Sequence, residues 1–106
     1  MSREKAKFSV GQVVTHQIFE YRGVIVDVDG HFLGTEEWYR NVTRSKPPKD
    51  RPWYHVLVDG DDLKTYVAER NLEADTTGEP VAHSDIHQHF MSFGDDGRYL
   101  MRSKNN

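Results

Sequence analysis

From Arg22 to Asp29 the residues alternate with a period of two, with Val24, Val26 and Val28 on one face and Ile25, Asp27 and Asp29 on the other. An extended chain throws successive side chains to opposite sides, so this pattern predicts a half-buried strand and excludes a helix over the same residues. Val13 to Phe19 alternates in the same way, Val14, His16 and Ile18 lying opposite Val13, Thr15 and Gln17, with Glu20-Tyr21 as the turn between the two runs. The expectation is an antiparallel hairpin.

A second pair begins at Trp53-Tyr54-His55-Val56-Leu57-Val58, which is rich in β-branched and aromatic residues on both faces. That is what a strand covered on both sides requires. Asp59-Gly60-Asp61-Asp62 supplies the positive φ of a tight turn, Lys64 to Ala68 returns as the partner strand, and Glu69-Arg70-Asn71-Leu72 reads as a short turn that caps the barrel and drops Leu72 into it. Four or five short strands with few helical signals predict a mainly β chain, built as a small SH3-like antiparallel β-barrel.

Residues 30–52 interrupt this barrel as a long inserted loop. Thr35-Glu36-Glu37-Trp38-Tyr39-Arg40-Asn41-Val42 has the signature of a short helix, with Thr35 as N-cap and two glutamates at the positive end of the dipole. Ser45 to Pro52 cannot be helix or central strand, because Pro47, Pro48 and Pro52 fix φ and remove donors. An exposed, stiff loop is expected there, and an insertion of this length in a compact domain suggests a binding surface.

Apolar and tyrosine side chains number 28 in residues 1–72 and 10 in residues 73–106, which places the core in the first two thirds. The organisation expected is a charged N-terminal tail over residues 1–7, the barrel over 8–72, and an acidic linker with a C-terminal extension over 73–106. The extension, whose apolar residues follow no sustained period, is expected to drape over the barrel or stay partly mobile. The 106-residue chain has no cysteine, so a disulfide framework, a thiolate nucleophile and a Cys-based zinc site are excluded. Neither a signal-peptide h-region nor an apolar stretch of membrane-spanning length is present, and a cytoplasmic protein without a membrane partner is expected.

The net charge of −3 argues against a strong, sequence-independent nucleic-acid binder. The average hides a local cluster, Arg40, Arg44, Lys46, Lys49 and Arg51 against Asp50, beside Trp38, Tyr39 and Trp53. Cations could contact phosphates there while a ring stacks on a base, although an ordinary solvated loop has the same composition. The three aromatic residues are equally candidates for contact with a protein partner. His83, His87 and His89 would bring two imidazoles onto one face if they were helical, but Gly78 and Pro80 make a polar tail the better reading, and no metal or other cofactor is expected. Asp59, Asp61 and Asp62 lack the spacing of a calcium loop. His16 and His55 lie within strands, where a lone histidine is more often hydrogen-bonded packing than a catalyst. No nucleophile, base and orienting group occur in a known pattern, so no enzymatic activity is expected.

Four blocks occur together and in order: Phe8 to His16, Tyr21 to Asp29, Trp53 to Leu57, and Tyr66 to Leu72. In combination they resemble the bacterial heat-shock HspQ or YccV-like family, also called the hemimethylated-DNA-binding family. The resemblance spans residues 8–72 and implies an SH3-like barrel. It further implies a role in promoting the degradation of denatured proteins, the replication initiator included, by ATP-dependent proteases, with binding to hemimethylated DNA as the alternative. It supplies no catalytic residue, and it leaves the oligomeric state open, a homo-oligomer included.

Overall fold

A computed structural model describes residues 5–102. The first four residues of the tail at 1–7 and the last four of the extension at 73–106 lie outside the described residues. Strands β1 (Val13–His16), β2 (Arg22–Asp29), β3 (Trp53–Val58), β4 (Lys64–Ala68) and β5 (Leu72–Ala74) form one antiparallel sheet in the order β4-β3-β2-β1-β5. Helix α1 (Glu36–Val42) lies in the insertion between β2 and β3, and after β5 come α2 (Ile86–His89) and a hairpin of β6 (Phe90–Phe93) and β7 (Tyr99–Met101). The chain is mainly β, as its periodicity predicts.

The two edges of the sheet are consecutive in the chain, joined by a 3₁₀ turn at Glu69–Asn71. Ala68 and Leu72 can be at most about 14 Å apart, whereas five flat strands would separate their edges by about 19 Å. The sheet must therefore curl. It takes the sense of the expected barrel, but β4 and β5 share no ladder, so the curl stays open at that seam.

Inside the curl, Phe8, Val14, Ile25, Tyr54, Val56, Val67 and Leu72 form one buried cluster. Alternation along β1 and β3 sends their other residues outward. On β2 the simple period fails, because the register against β3 shifts between Ile25 and Asp27. This bulge at Val26 adds one residue, so Val28 joins Ile25 on the inner face while Val24 and Val26 pack on the outer one. A strict period put Val24, Val26 and Val28 together; the bulge moves Val28 across and turns Asp27 and Asp29 outward.

The outer face is not left to solvent. Val81, Phe90 and Tyr99 pack with Val13, Val24 and Leu57 in a second buried cluster. The Tyr99 hydroxyl accepts from Val81 N at 2.8 Å and donates to Val81 O at 3.2 Å, and Tyr99 N donates to Gly11 O at 2.8 Å. Gly11 has φ +92°, and a Cβ there would lie 2.3 Å from Tyr99 O, so both the conformation and the close approach require glycine. The segment after Leu72 thus drapes over the sheet and supplies half of this outer cluster.

The stretch before it is pinned by one side chain. Arg22 Nε donates to Asp75 at 2.9 Å and Nη1 to Asp59 at 3.0 Å, while Nη2 and Nη1 reach the carbonyls of Glu79 and Pro80 at 2.6 and 3.3 Å. Burial alone would raise the Asp75 carboxyl, but hydrogen bonds from Arg22 and Thr77 outweigh it and hold it below the usual range.

Candidate binding groove and aromatic cluster

Thr35 caps α1 as expected, its Oγ1 accepting from Trp38 N at 3.0 Å, with Glu36 and Glu37 in the first turn. The proline segment that follows is tied down as well as stiff. The buried Tyr39 hydroxyl donates to Pro47 O at 2.5 Å and Trp53 Nε1 to Pro48 O at 3.0 Å, and Pro47 and Pro52 are themselves buried. The exposed, stiff loop expected from composition is therefore corrected at Pro47 and Pro52, while most of its other residues are exposed.

These anchors gather rings on the sheet beneath the insertion. Phe32 sits 4.9 Å from Trp53 and 5.9 Å from Trp38, and Trp53 sits 5.2 Å from Tyr66, centroid to centroid. Of the three aromatic residues singled out in the sequence, Trp53 is 1% exposed and Tyr39 is buried, so both mainly hold the insertion onto the sheet; Trp38 stays half-buried at its margin.

The five cations do not form one surface. Lys46 donates to the carbonyls of Arg40 and Thr43 at 3.2 Å each, closing the end of α1. Lys49 pairs with Glu36 and lies over the Tyr39 ring at 4.4 Å. That hydrogen bond from Lys49, followed by the fields of Lys49, Arg40 and Lys46, holds the Glu36 carboxyl below its usual range. Arg44 lines a groove on one side of the insertion, whereas Arg51 lines a separate hollow with Lys7, Glu69 and Arg70. Lys7 and Arg70 lie far from the basic loop in sequence, and only the fold brings them to Arg51.

The groove beside Arg44 has a volume of about 490 Å³. One wall is the turn between β1 and β2, with Ile18 and Phe19; the other is the end of α1, with Val42 and Ser45; Trp38, Tyr66 and Val67 lie between. Ile18, Phe19 and Val42 are 56, 73 and 55% exposed. Sequence reasoning did not select Ile18 and Phe19; the available signal was two large apolar residues directly before a turn.

His16 sets the shape of that turn. Its Nδ1 accepts from Ile18 N and Phe19 N, both at 3.1 Å, so the ring's proton is on Nε2, and the ring packs 4.8 Å from Phe19. Burial lowers its pKa below 6.5. A histidine depressed in the fold contributes stability above pH 6.5 that is lost as pH falls through its folded value. Stability should therefore decline from pH 7 into the acid range, and His16→Gln should flatten that part of a urea-midpoint profile; an unchanged slope would remove His16 as its cause.

On the outer face, Asp29 Oδ2 accepts from the Tyr66 hydroxyl at 2.6 Å and lies 3.2 Å from His55 Nε2. Burial, then the hydrogen bond to Asp29, pushes the Tyr66 phenol up to about 12. His55 is thus hydrogen-bonded, as a strand histidine is expected to be, but its partner Asp29 comes from β2 and the ring it packs on, Tyr66, from β4, neither visible in the local sequence. The tail histidines are not stacked on a helical face, since α2 begins at Ile86; His83 instead bonds Leu63 O at 3.1 Å and accepts from Asp85 N at 3.0 Å.

Fold and site together define a small β module: a curled single sheet with a helix and loop inserted above an aromatic cluster and a helix-hairpin strap across its outer face. A family model described as hemimethylated DNA-binding protein YccV like matches residues 6–97, and the chain belongs to that family. The match runs past Leu72 into the strap, over Val81 and Phe90, and ends before β7. Among the described residues, no helix is long and apolar enough to cross a membrane.

Proposed function

We propose that this chain is a non-catalytic, cytoplasmic heat-shock factor that binds extended apolar segments of denatured proteins, the replication initiator among them, and promotes their degradation by an ATP-dependent protease. The groove carries this reading. Three large apolar side chains more than half exposed around one concave, ring-lined hollow are the arrangement of an interaction site, not the scattered apolar exposure of an ordinary surface. Folded proteins keep such side chains inside, so a groove of this chemistry selects unfolded clients. In a reconstituted assay, the protein should accelerate degradation of an unfolded, fluorescently labelled substrate. Ile18→Ser with Phe19→Ser should abolish at least half of that acceleration without lowering the melting temperature, because both residues are exposed. Equal rates with and without the wild-type protein would sink the proposal.

The family description supports a second reading, binding to hemimethylated DNA. The specific observation in its favour is the convergence of Lys7, Arg51 and Arg70 around one hollow. Binding that uses this surface should weaken steeply with salt, and replacing the three by Ala should reduce the log–log slope by about 0.9 for each phosphate that is no longer neutralised. An unaltered slope places the DNA elsewhere, and equal affinity for fully methylated duplex removes the preference.

A further inference from the structure

We propose that Asp27, Asp29 and His55 form a binding site for one divalent transition-metal ion, of the kind zinc represents. The site follows from the bulge at Val26 and from strand register. The bulge turns Asp27 and Asp29 to the outer face of β2, and pairing with β3 sets His55 directly opposite Asp27. Two carboxylates and one imidazole, separated in sequence by 26 residues, thereby meet on rigid strands rather than on loops.

The distances suit an ion. Two ligands about 2.1 Å from a metal are about 3.0 Å apart at an octahedral angle and about 3.4 Å apart at a tetrahedral one. Asp29 Oδ2 and His55 Nε2 are separated by 3.2 Å, within that bite. Ligand atoms of all three residues lie within 4.8 Å of one another, whereas ligands on opposite sides of such an ion are about 4.2 Å apart. Closing that difference needs only a small rotation of Asp27, whose exposed carboxylate accepts from Val28 N at 2.9 Å through Oδ1.

The surroundings fit as well. Metal-binding carboxylates are usually oriented by a hydrogen bond from an outer partner, and the Tyr66 hydroxyl supplies one to Asp29 at 2.6 Å while itself accepting from Leu33 N at 3.1 Å. A hollow of about 330 Å³, walled by Trp38 and Tyr66, opens onto Asp29 and His55 and has room for waters to complete the coordination. The mixed oxygen and nitrogen set favours zinc, manganese or iron(II) over magnesium and calcium, which take oxygen ligands.

The test uses the full chain stripped of metal with a chelator and titrated with zinc chloride. One equivalent should bind, and saturation should raise the melting temperature by roughly 5 °C, with no comparable effect from magnesium. Asp27→Asn should weaken zinc binding roughly tenfold or more while leaving the metal-free melting temperature unchanged, and Tyr66→Phe should weaken it by roughly tenfold through loss of the orienting bond. Manganese should broaden NMR signals around Asp27, Asp29 and His55. A variant with His83, His87 and His89 all changed to Ala should bind as tightly as wild type. The proposal is overturned if no saturable zinc binding occurs, if Asp27→Asn binds as well as wild type, or if the triple substitution in the tail abolishes binding.

Discussion

Replacing Phe90 by Ala should lower the free energy of unfolding by about 3–5 kcal/mol, the cost of truncating a fully buried aromatic ring. Phe90 is 1% exposed, 5.0 Å from the Tyr99 ring, and packed against Val13, Val24 and Leu57 of the sheet. The loss is a large part of the roughly 5–15 kcal/mol that holds a domain of this size together. Met91, its neighbour, is 58% exposed, so Met91→Ala should stay within about 0.5 kcal/mol of wild type. Urea unfolding followed by tryptophan fluorescence separates the two. If both variants behave alike, the strap is an ornament on the sheet rather than half of its outer core.

Arg22→Ala should cost about 3 kcal/mol, toward the low end for breaking a buried charge pair, because the Arg22 side chain keeps 21% exposure. The substitution leaves Asp75, 4% exposed, without its guanidinium, and frees the carbonyls of Glu79 and Pro80. The pH dependence gives a sharper check. With Arg22 present, the Asp75 pKa is depressed, so its contribution exists above the unfolded carboxylate value and disappears as pH falls through the folded one. Without Arg22 the bonds from Thr77 remain but burial weighs more, so the pKa rises and protonation in acid costs the variant less than the wild type. The stability gap between wild type and variant should therefore be widest near neutral pH and narrow below about pH 4. A gap of constant size from pH 7 to pH 3 would show that Arg22 acts through packing of its stem alone.

Much of the sheet could be read from the residues alone. Period-two alternation marked β1 to β4, Asp59-Gly60 marked a turn, Thr35 with Glu36 and Glu37 marked α1, and the four residues after Ala68 marked the 3₁₀ crossing. These signals are local, and each is satisfied within a few residues of where it is written. What escaped is non-local. The bulge at Val26 has no marker on β2 itself; it follows from how that strand must bend against β3. The strap carries scattered apolar residues because its helix is four residues long and its strands four and three, too short for a period to develop.

The candidate sites divide in the same way. The basic loop was legible as composition, yet Lys46 and Lys49 bond back along the surface onto the insertion itself while Lys7 and Arg70 join Arg51 from elsewhere. Trp38, Tyr39 and Trp53 were legible as a cluster of rings, but their unequal burial depends on which strand lies beneath. Asp27, Asp29 and His55 meet because of register, which a single strand's sequence does not state.

The crossing from β4 to β5 also orders events during synthesis. Strand β1 lies between β2 and β5, so its second partner is not made until some sixty residues after it, and the cover of Val13 and Val24 comes later still, with Val81, Phe90 and Tyr99. A nascent chain that has released only β1 to β4 displays an unpaired strand edge and an uncovered apolar face. Closure of the sheet and capping of its outer side thus both wait for residues that follow Asn71, and until those have emerged this chain is itself the kind of incompletely folded polypeptide that its proposed groove would bind.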